Sequence, residues 1–399
     1  MKVMLIGGTG VLSKDIAKKC IEANLELYMI NRGTRLQYAP KGAHIIIGDI
    51  NNPASLKSNL QDLDFDVVVD FLSYTSEQLS RSLKLLRDKC KQYIFISSAT
   101  AYSKENPDEF ITEETPLINF DWDYAKNKIE CERMLEEEYK INNLQYTIVR
   151  PYITYGTTRI PFALISKNQH WTLIDRILND KPIVIWDDGK AICTLTHTED
   201  FAKGVVGLFG NLKALRQGFH ITSDEHISWQ EALEKIGESV NKKVKIIYIP
   251  SKMIEDEMQE MRGELTQDKS ITRKFDNTKI KSAVSNFQCT TMFSDGIKKT
   301  IEHYQNNPKL MSIDRGWNAK IDIIIYKYYK NNYPDDLNIE GNFGMSKSKI
   351  RNQIKYFKCI IEVNFFNIIN KISWFIGGLS RRIKRTKAGK RKAKEGLIK

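Results

Sequence analysis

The sequence has few cysteines and no pairing pattern among them. Six cysteines are spread over 399 residues, and none forms a C-x-x-C pair or shows a spacing typical of zinc ligands. The six histidines do not form a metal-ligand cluster either. These absences argue against a disulfide framework and a metal site, and they favour a reducing compartment.

A long apolar run is also missing. No stretch of about 18 uncharged apolar residues occurs, so we expect no membrane-spanning helix. The first residues lead directly into a predicted strand, so we expect no signal peptide. The hydrophobic content of 41% and the charged content of 28% are typical of a soluble globular protein. We therefore expect a cytoplasmic location.

Acidic residues are scarce at the C-terminal end. Residues 345–399 hold 16 Lys and Arg against two acids, so this segment carries +14. The whole chain carries +12, which leaves −2 for the preceding 344 residues. A nearly neutral body and a strongly basic tail are predicted to have different partners.

The tail has an amphipathic pattern. Apolar residues recur at steps of three and four between 347 and 383, and Lys, Arg and Asn fill the other positions. A basic helix of this kind is typical of binding to an anionic membrane surface, here through residues 345–399 at the inner face of the membrane. The alternative is that the stripe packs on the body or on a partner subunit. Nucleic acid is the least favoured partner.

The first 150 residues alternate short apolar runs with helical patterns. Strands and helices in alternation predict an α/β fold with a doubly wound parallel sheet, which has helices on both faces. Helices are predicted near 53–61, 76–90 and 123–142. After the opening strand, the predicted strands are Leu25–Ile30, Ala43–Ile47, Val67–Phe71, Tyr93–Ser97 and Tyr146–Arg150.

A glycine-rich turn follows the opening strand. Gly7, Gly8 and Gly10 come before a helical pattern, and Ser13 stands where a dinucleotide-binding motif has its third glycine. Such a turn directs backbone N–H groups and a helix N-terminus at a phosphate. The alternative is an ordinary tight turn. The candidate cofactor contacts in this turn are Gly7, Thr9, Gly10, Val11 and Leu12.

The residues after the second strand bear on cofactor identity. NAD sites commonly have an acid here, whereas this chain has Asn31 followed by Arg32. An arginine can meet a 2′-phosphate, so the pattern favours NADP over NAD. The alternative is that Arg32 is a solvated loop residue.

Two further strand ends carry candidate cofactor contacts. Asp49 and Ile50 follow the third strand, and Phe71, Leu72 and Ser73 follow the fourth. Ligands of such sheets lie beyond the carboxyl ends of the strands. The alternative is helix capping, because Asn52-Pro53 and Thr75-Ser76 resemble helix starts.

A serine strand end and a helix with tyrosine and lysine suggest the chemistry. Ser98 follows the fifth strand, and Tyr124 and Lys128 are four apart on one predicted helix face. A nearby ammonium lowers the pKa of a phenol, which then exchanges a proton with a sugar hydroxyl or ketone. A serine hydroxyl can hold the same oxygen.

With these motifs, the chain resembles the extended short-chain dehydrogenases/reductases, the NAD(P)-dependent sugar epimerase/dehydratase family. Arg150–Gly156, Thr194–Ala202 and Phe275–Lys279 match later parts of the same pattern, and the resemblance covers roughly residues 1–330. It implies a Rossmann domain and a smaller substrate domain. The implied boundaries are 1–155 (with 193–222 returning to it) for the first, 156–192 and 223–333 for the second, and 334–399 for the tail.

The resemblance also implies roles for individual residues. Tyr124 would be the acid/base, Lys128 would bind the nicotinamide ribose and tune the tyrosine, and Ser98 would orient the reacting oxygen. Ser97 and the Pro151–Ile153 backbone would contact the cofactor. Trp186 and His197 have a strong alternative as core residues. The candidate substrate contacts are Thr100, Tyr152, Arg159, Asn168, Trp186 and His197.

The reaction type stays open between two possibilities. Ala99 and Thr100 stand where a dehydratase of this family commonly has an acidic pair, which argues against dehydration. A nucleotide-sugar epimerase would keep NAD bound, whereas a reductase would use NADPH. Surface polysaccharide biosynthesis and a homodimer fit either. The rival hypothesis is a non-catalytic relative that binds RNA or acts as a membrane-associated scaffold.

Overall fold

The computed structural model describes residues 1–106, 109–332 and 358–365. The chain divides into two compact units. The first comprises Met1–Leu164, Ile185–Val244 and Tyr248–Leu310; the second comprises Ile165–Val184, Lys245–Ile247 and the described residues from Met311 onward. The division into Rossmann and substrate domains that the resemblance implies stays a prediction, and most of the predicted tail lies outside the described residues.

The first unit is built on a parallel sheet. Within the described residues, seven strands pair in the order β12-β7-β5-β4-β1-β2-β3. The chain order reverses beside β1, which is the crossover arrangement of a Rossmann-type fold, so the predicted fold class is confirmed. The seven strands are β1 Lys2–Ile6, β2 Glu26–Asn31, β3 His44–Ile47, β4 Phe65–Asp70, β5 Cys90–Ile96, β7 Tyr146–Arg150 and β12 Gln217–His220.

Shorter strands complete the described part of the chain. They are β6 Phe110–Ile111, β8 Ile153–Tyr155, β9 Ile183–Trp186, β10 Ile192–Cys193, β11 Leu195–His197, β13 Ile227–Ser228, β14 Ile246–Ile249 and β15 Lys274–Phe275. The strand β8 pairs in parallel with β11, and β6 pairs in parallel with β15.

Helices cover both faces of the sheet. Alternate residues of β1 enter different cores, because successive side chains of a strand point to opposite faces. Val3 and Leu5 pack in the cluster that includes Phe201, whereas Met4 and Ile6 pack in the cluster that includes Leu135. The near-continuous apolar strands are therefore buried on both sides, as the sequence predicts.

The helices match the predicted pattern, with one reduced element. The segment near 53–61 forms only a short turn before a four-residue helix. The predicted helix over 123–142 has those bounds. The helices are α1 Val11–Glu22, α2 Lys57–Leu60, α3 Ser76–Leu86, α4 Asp123–Asn142, α5 Trp171–Leu178, α6 Thr198–Gly207, α7 Trp229–Glu238, α8 Ser251–Glu257, α9 Thr278–Ala283, α10 Phe293–Gln305 and α11 Arg315–Asn332.

The second unit is held by a buried arginine. Arg176 on α5 donates to the carbonyl oxygen of Pro182 over 2.9 Å and to Oδ1 of Asn318 on α11 over 3.2 Å. It also forms an ion pair with Asp322, with an N–O distance of 2.9 Å. These bonds satisfy a charge that would otherwise be costly to bury. Among the described residues, no helix is both long enough and apolar enough to cross a bilayer.

Candidate active site

The glycine turn forms a close-fitting cradle at the carboxyl end of β1. Gly7 has a φ of +90°, and a Cβ there would lie 2.7 Å from Cγ of Leu72. A Cβ on Gly8 would lie 2.4 Å from Cε of Met29. The positive φ at Gly7 favours glycine, and a side chain at Gly8 would require the end of the Met29 side chain to move. Gly10 then caps α1, so the first N–H groups of that helix face the turn.

Ser13 explains the departure from the usual glycine pattern. Its hydroxyl donates to the carbonyl oxygen of Gly7 over 2.7 Å and accepts from the backbone N–H of Gly10 over 2.9 Å. The side chain is 1% exposed. The serine therefore ties the two ends of the glycine turn together.

Asn31 gives the cradle an unused hydrogen-bond donor. Its Oδ1 accepts from the hydroxyl of Thr9 over 3.2 Å, which directs the amide. Its Nδ2 is buried and has no hydrogen-bond partner, so it needs an acceptor. A ribose hydroxyl at this strand end would supply one. The residues present therefore fit a dinucleotide, and Arg32 beside them is exposed.

The other predicted cofactor contacts divide into two groups. Phe71 and Leu72 line the cavity described below, whereas Ser73 is buried and its hydroxyl donates to Asp70 over 2.6 Å. Asp49 is half-buried, and its Oδ1 accepts from the backbone N–H of Asn51 over 3.0 Å. Ile50 is buried. Local turns thus use part of the hydrogen-bonding capacity of both segments.

A cavity of about 480 Å³ connects the glycine turn with the predicted catalytic residues. This volume is in the range of small-molecule sites. All of its lining residues belong to the first unit. The lining includes, among the predicted residues, Gly7, Gly10, Val11, Leu12, Phe71, Leu72, Ser97, Ser98, Thr100, Tyr124, Lys128, Pro151, Tyr152, Ile153 and Arg159.

Ser98 and Tyr124 both line this cavity. The Ser98 hydroxyl acts on the phenol and lowers the pKa of Tyr124. The hydroxyl of Thr100 donates to Oγ of Ser98 over 2.9 Å and so fixes its direction. The structure therefore brings together a phenol and the serine at the end of β5, as predicted from the sequence.

Burial dominates the acidity of the phenol. It raises the pKa of Tyr124 to about 12, because the negative phenolate is poorly solvated in the cavity. The Ser98 hydroxyl and the positive charge of Arg159 oppose this rise. Lys128 is not among the largest influences on the pKa of Tyr124, although the sequence suggests it for that role.

Lys128 instead forms hydrogen bonds to two backbone carbonyl groups. Its ammonium donates to the carbonyl oxygens of Ser73 and Ile96, each over 2.8 Å. It also lies 4.7 Å from the ring centres of both Tyr74 and Phe95. Burial lowers the pKa of Lys128 to about 8, since the charged form loses solvation. The ammonium thus joins the segments that follow β4 and β5.

Three predicted substrate contacts lie outside the cavity lining. Trp186 is 1% exposed, and its ring packs 4.8 Å from that of Trp229. His197 is buried and caps α6 by accepting from the backbone N–H of Glu199 over 3.3 Å. Asn168 is an exposed residue of the second unit. The core interpretation therefore describes the observed positions of Trp186 and His197.

Lys269 is a cavity residue that the sequence did not indicate. The indole N–H groups of Trp186 and Trp229 both donate to its carbonyl oxygen, over 3.0 and 2.9 Å. Its ammonium pairs with buried Asp268 and lies 5.1 Å from the ring centre of Tyr152. No motif precedes this segment, so only the fold reveals it.

Tyr74, Trp122 and Glu264 are among the other lining residues that the sequence did not indicate. The ring centres of Trp122 and Tyr124 lie 5.2 Å apart, and those of Tyr74 and Tyr124 lie 6.4 Å apart. Tyr74 directly follows the predicted contacts after the fourth strand, so its position was a usable signal. Within residues 1–106, 109–332 and 358–365, no group of three His, Cys, Asp or Glu could hold a metal ion.

Comparison with known proteins gives a family match. A sequence model described as the NAD dependent epimerase/dehydratase family matches residues 3–221, which is more than half of the chain. The chain is 24% identical over 244 residues to the chloroplast stem-loop binding protein of 41 kDa b from Arabidopsis thaliana, covering 57% of this chain and 60% of that protein. It is 26% identical over 174 residues to the UDP-glucuronate 4-epimerase of Thermodesulfobacterium geofontis, covering 42% and 50%. The chain thus spans about half to three fifths of the length of these relatives.

The fold matches a solved structure more fully. The UDP-glucuronic acid 4-epimerase from Bacillus cereus, in complex with UDP-glucuronic acid and NAD, superposes with a TM-score of 0.63 at 18% identity. The match covers 77% of this chain and 99% of that chain. At this identity the similarity shows a shared fold.

Proposed function

Because the chain belongs to the NAD dependent epimerase/dehydratase family, we propose that it is an NAD(P)-dependent enzyme that modifies a sugar nucleotide. The proposed reaction is an epimerisation or the reduction of a keto sugar, and its proposed place is surface polysaccharide biosynthesis. One observation carries the proposal: Ser98, Tyr124 and the glycine turn all line the same cavity.

The residues of the chain supply binding and proton transfer. The glycine turn and Asn31 hold the dinucleotide, and a bound nicotinamide supplies a hydride donor or acceptor. Ser98 holds the reacting oxygen of the sugar. Tyr124 donates a proton to that oxygen or removes one from it. Since burial raises the pKa of Tyr124 to about 12, the phenol is protonated at neutral pH when the cavity is empty. That form suits proton donation to a ketone.

The first experiment removes the phenolic hydroxyl. Tyr124→Phe keeps the ring and is expected to slow turnover by about 10²–10⁴-fold, the usual contribution of a positioned acid or base. Binding of NADH, followed by nucleotide fluorescence, is expected to stay close to wild type. Turnover is measured by chromatography with UDP-glucuronate and UDP-glucose as probes. Unchanged turnover would refute the assignment.

The cofactor is proposed to be NADP, on the strength of Asn31 and Arg32. The exposed guanidinium of Arg32 has room to meet a 2′-phosphate beside the unused amide of Asn31. Parallel titrations with NADPH and NADH test this, and tighter binding of NADH would contradict it. The nucleotide that co-purifies separates the two reaction types, because an epimerase retains NAD and a reductase releases its cofactor.

The basic tail is proposed to hold the enzyme at an anionic membrane surface. The enzyme is also proposed to form a homodimer. Ile361 is 66% exposed in the described helix at 358–365, and the surrounding sequence is strongly basic. Cosedimentation with anionic liposomes should be lost on deletion of residues 345–399. Retained binding by the shortened chain would place the lipid contact elsewhere, and sedimentation equilibrium would test the dimer.

A second candidate is RNA binding without catalysis. The similarity to a stem-loop binding protein favours it, as does the charge of the tail. A binding module has no need of Ser98, Tyr124 and Lys128 together, which is why the enzyme is preferred. Tight binding of a stem-loop RNA, with no turnover of any nucleotide sugar, would reverse this preference.

A further inference from the structure

A third residue shares the catalytic face of α4. Tyr124, Lys128 and Glu132 follow one another at intervals of four residues, so their side chains lie on one side of the helix. Glu132 is 3% exposed. A buried carboxylate requires partners that offset its lost solvation.

Glu132 has partners on two neighbouring strands. Arg150 at the end of β7 forms a bidentate ion pair with Glu132. Its Nε donates to Oε1 over 3.0 Å, and its Nη2 donates to Oε2 over 2.7 Å. The hydroxyl of Ser97, directly after β5, donates to Oε1 of Glu132 over 2.5 Å. The carboxylate thus connects the helix to two strand ends.

Those strand ends carry the reactive part of the site. Ser97 precedes Ser98, and Arg150 precedes Pro151 in the cavity wall. The two segments are also bonded to each other through the backbone, since the N–H of Ala99 donates to the carbonyl oxygen of Pro151 over 2.9 Å. The position of Ser98 relative to α4 therefore depends on the bonds to Glu132.

The network continues away from the cavity. Nη1 of Arg150 donates to the hydroxyl of Tyr102 over 3.0 Å, and that hydroxyl lies 3.2 Å from Nδ1 of His220 on β12. The backbone N–H of His220 donates to Oε1 of Glu113 over 3.1 Å. Buried groups with complete hydrogen bonding restrict one another to a single arrangement.

Stability alone is a weak explanation for this pair. Burying an arginine and a glutamate costs solvation that their attraction barely recovers, and apolar residues of similar size often serve as well. The geometry is specific, however, because each contact joins α4 to a segment that carries a reactive residue.

We infer that Glu132 is a positioning residue, which through Ser97 and Arg150 fixes the distance between Ser98 and the Tyr124 hydroxyl. The inference rests on the proposed function only for its kinetic consequence. Its geometric consequence, an ordered segment at 97–102, is independent of any substrate.

Ser97→Ala is the mildest test, since it removes one hydroxyl and keeps the ion pair. We expect kcat for UDP-glucuronate or UDP-glucose to fall at least about tenfold, with KM and NADH binding little changed. A looser Ser98 lowers the Tyr124 pKa less, so the limb of the kcat–pH profile that reports the ionisation of Tyr124 should move to higher pH. A purely structural role would not move it. Ser97→Thr, which retains the hydroxyl, should restore both values.

Ser82→Ala is the matched control. Ser82 is also a fully buried serine, and it bonds the hydroxyl of Tyr93 over 2.8 Å without lining the cavity. It should leave kcat and the pH profile unchanged. Hydrogen exchange should quicken at residues 97–102 in Ser97→Ala and in Glu132→Gln, but not in Ser82→Ala.

The outcomes separate the two proposals. If the wild type turns over and Ser97→Ala has the same kcat, pH profile and exchange, the positioning role is wrong. If no nucleotide sugar is turned over but exchange at 97–102 quickens in both variants, the anchoring is supported and the proposed function fails. Unchanged exchange overturns the inference whatever the activity.

Discussion

Ser13→Ala should weaken cofactor binding without touching the cofactor's own contacts. The Ser13 hydroxyl closes the glycine turn through bonds of 2.7 Å to Gly7 and 2.9 Å to Gly10. Its removal leaves the turn free to open, so the backbone N–H groups at the start of α1 lose their fixed direction. The usual third glycine of the motif could not make these bonds either.

The size of the effect follows from the two bonds. Each contributes about 0.5–1.5 kcal/mol net, so the free energy of unfolding should fall by about 1–3 kcal/mol. If about 1 kcal/mol of this reappears as the cost of reordering the turn, the Kd for NADH rises about fivefold. Fluorescence titration with NADH and thermal denaturation measure the two quantities.

Two further variants sharpen the test. Ser82→Ala should lower stability by a similar amount and leave the Kd unchanged, because Ser82 is buried on α3 outside the cavity lining. Ser13→Gly restores the motif glycine and should bind NADH no better than Ser13→Ala. Wild-type affinity in Ser13→Ala, or tighter binding in Ser13→Gly, would refute the role given to the hydroxyl.

Three other outcomes follow from the structure. Because burial lowers the pKa of Lys128 to about 8, the unfolded chain binds that proton more tightly, and the free energy of unfolding rises as the pH climbs from 8 toward 10.5. Urea unfolding should show that the wild type gains about 3 kcal/mol relative to Lys128→Met over this pH window. The same pH dependence of stability in both proteins would contradict this prediction. Gly296→Ala places a Cβ 2.1 Å from the hydroxyl oxygen of Tyr155 and should cost about 1–3 kcal/mol in thermal unfolding; an unchanged melting temperature would show that the ring can move freely. Trp229→Phe removes one of the two indole donors to the Lys269 carbonyl and should raise KM for UDP-glucuronate several-fold with little change in kcat, and an unaltered KM would disprove that anchoring.

The layout of the sheet and the common face of Tyr124 and Lys128 on α4 could be predicted because they depend on local periodicity. Alternating strands and helices leave few topologies, and the interval between Tyr124 and Lys128 fixes their common face. The bounds of α4 agree with the predicted 123–142 for this reason. The strand ends then identify the cavity lining without knowledge of any long-range contact.

Long-range packing accounts for what could not be predicted. Trp186 is an aromatic residue of the kind that stacks on ligands. In the structure its indole N–H instead donates to the carbonyl oxygen of Lys269, 83 residues away, and its ring is buried against that of Trp229. The position of Lys269 at the cavity depends on the same hydrogen bond. The Lys128 ammonium bonds two carbonyl groups, of which one belongs to a segment 55 residues earlier, and helix spacing carries no information about that.

The two carbonyl bonds of Lys128 also affect how related chains should be compared. A homologue that has lost hydride chemistry would still be selected to retain this amine, because without it the segments of Ser73 and Ile96 would lose the side chain that bonds to both. The Tyr124 phenol does not join two backbone segments in this way, so this position would be free to change. Among related chains, we therefore expect the tyrosine to mark the proposed chemistry better than the lysine.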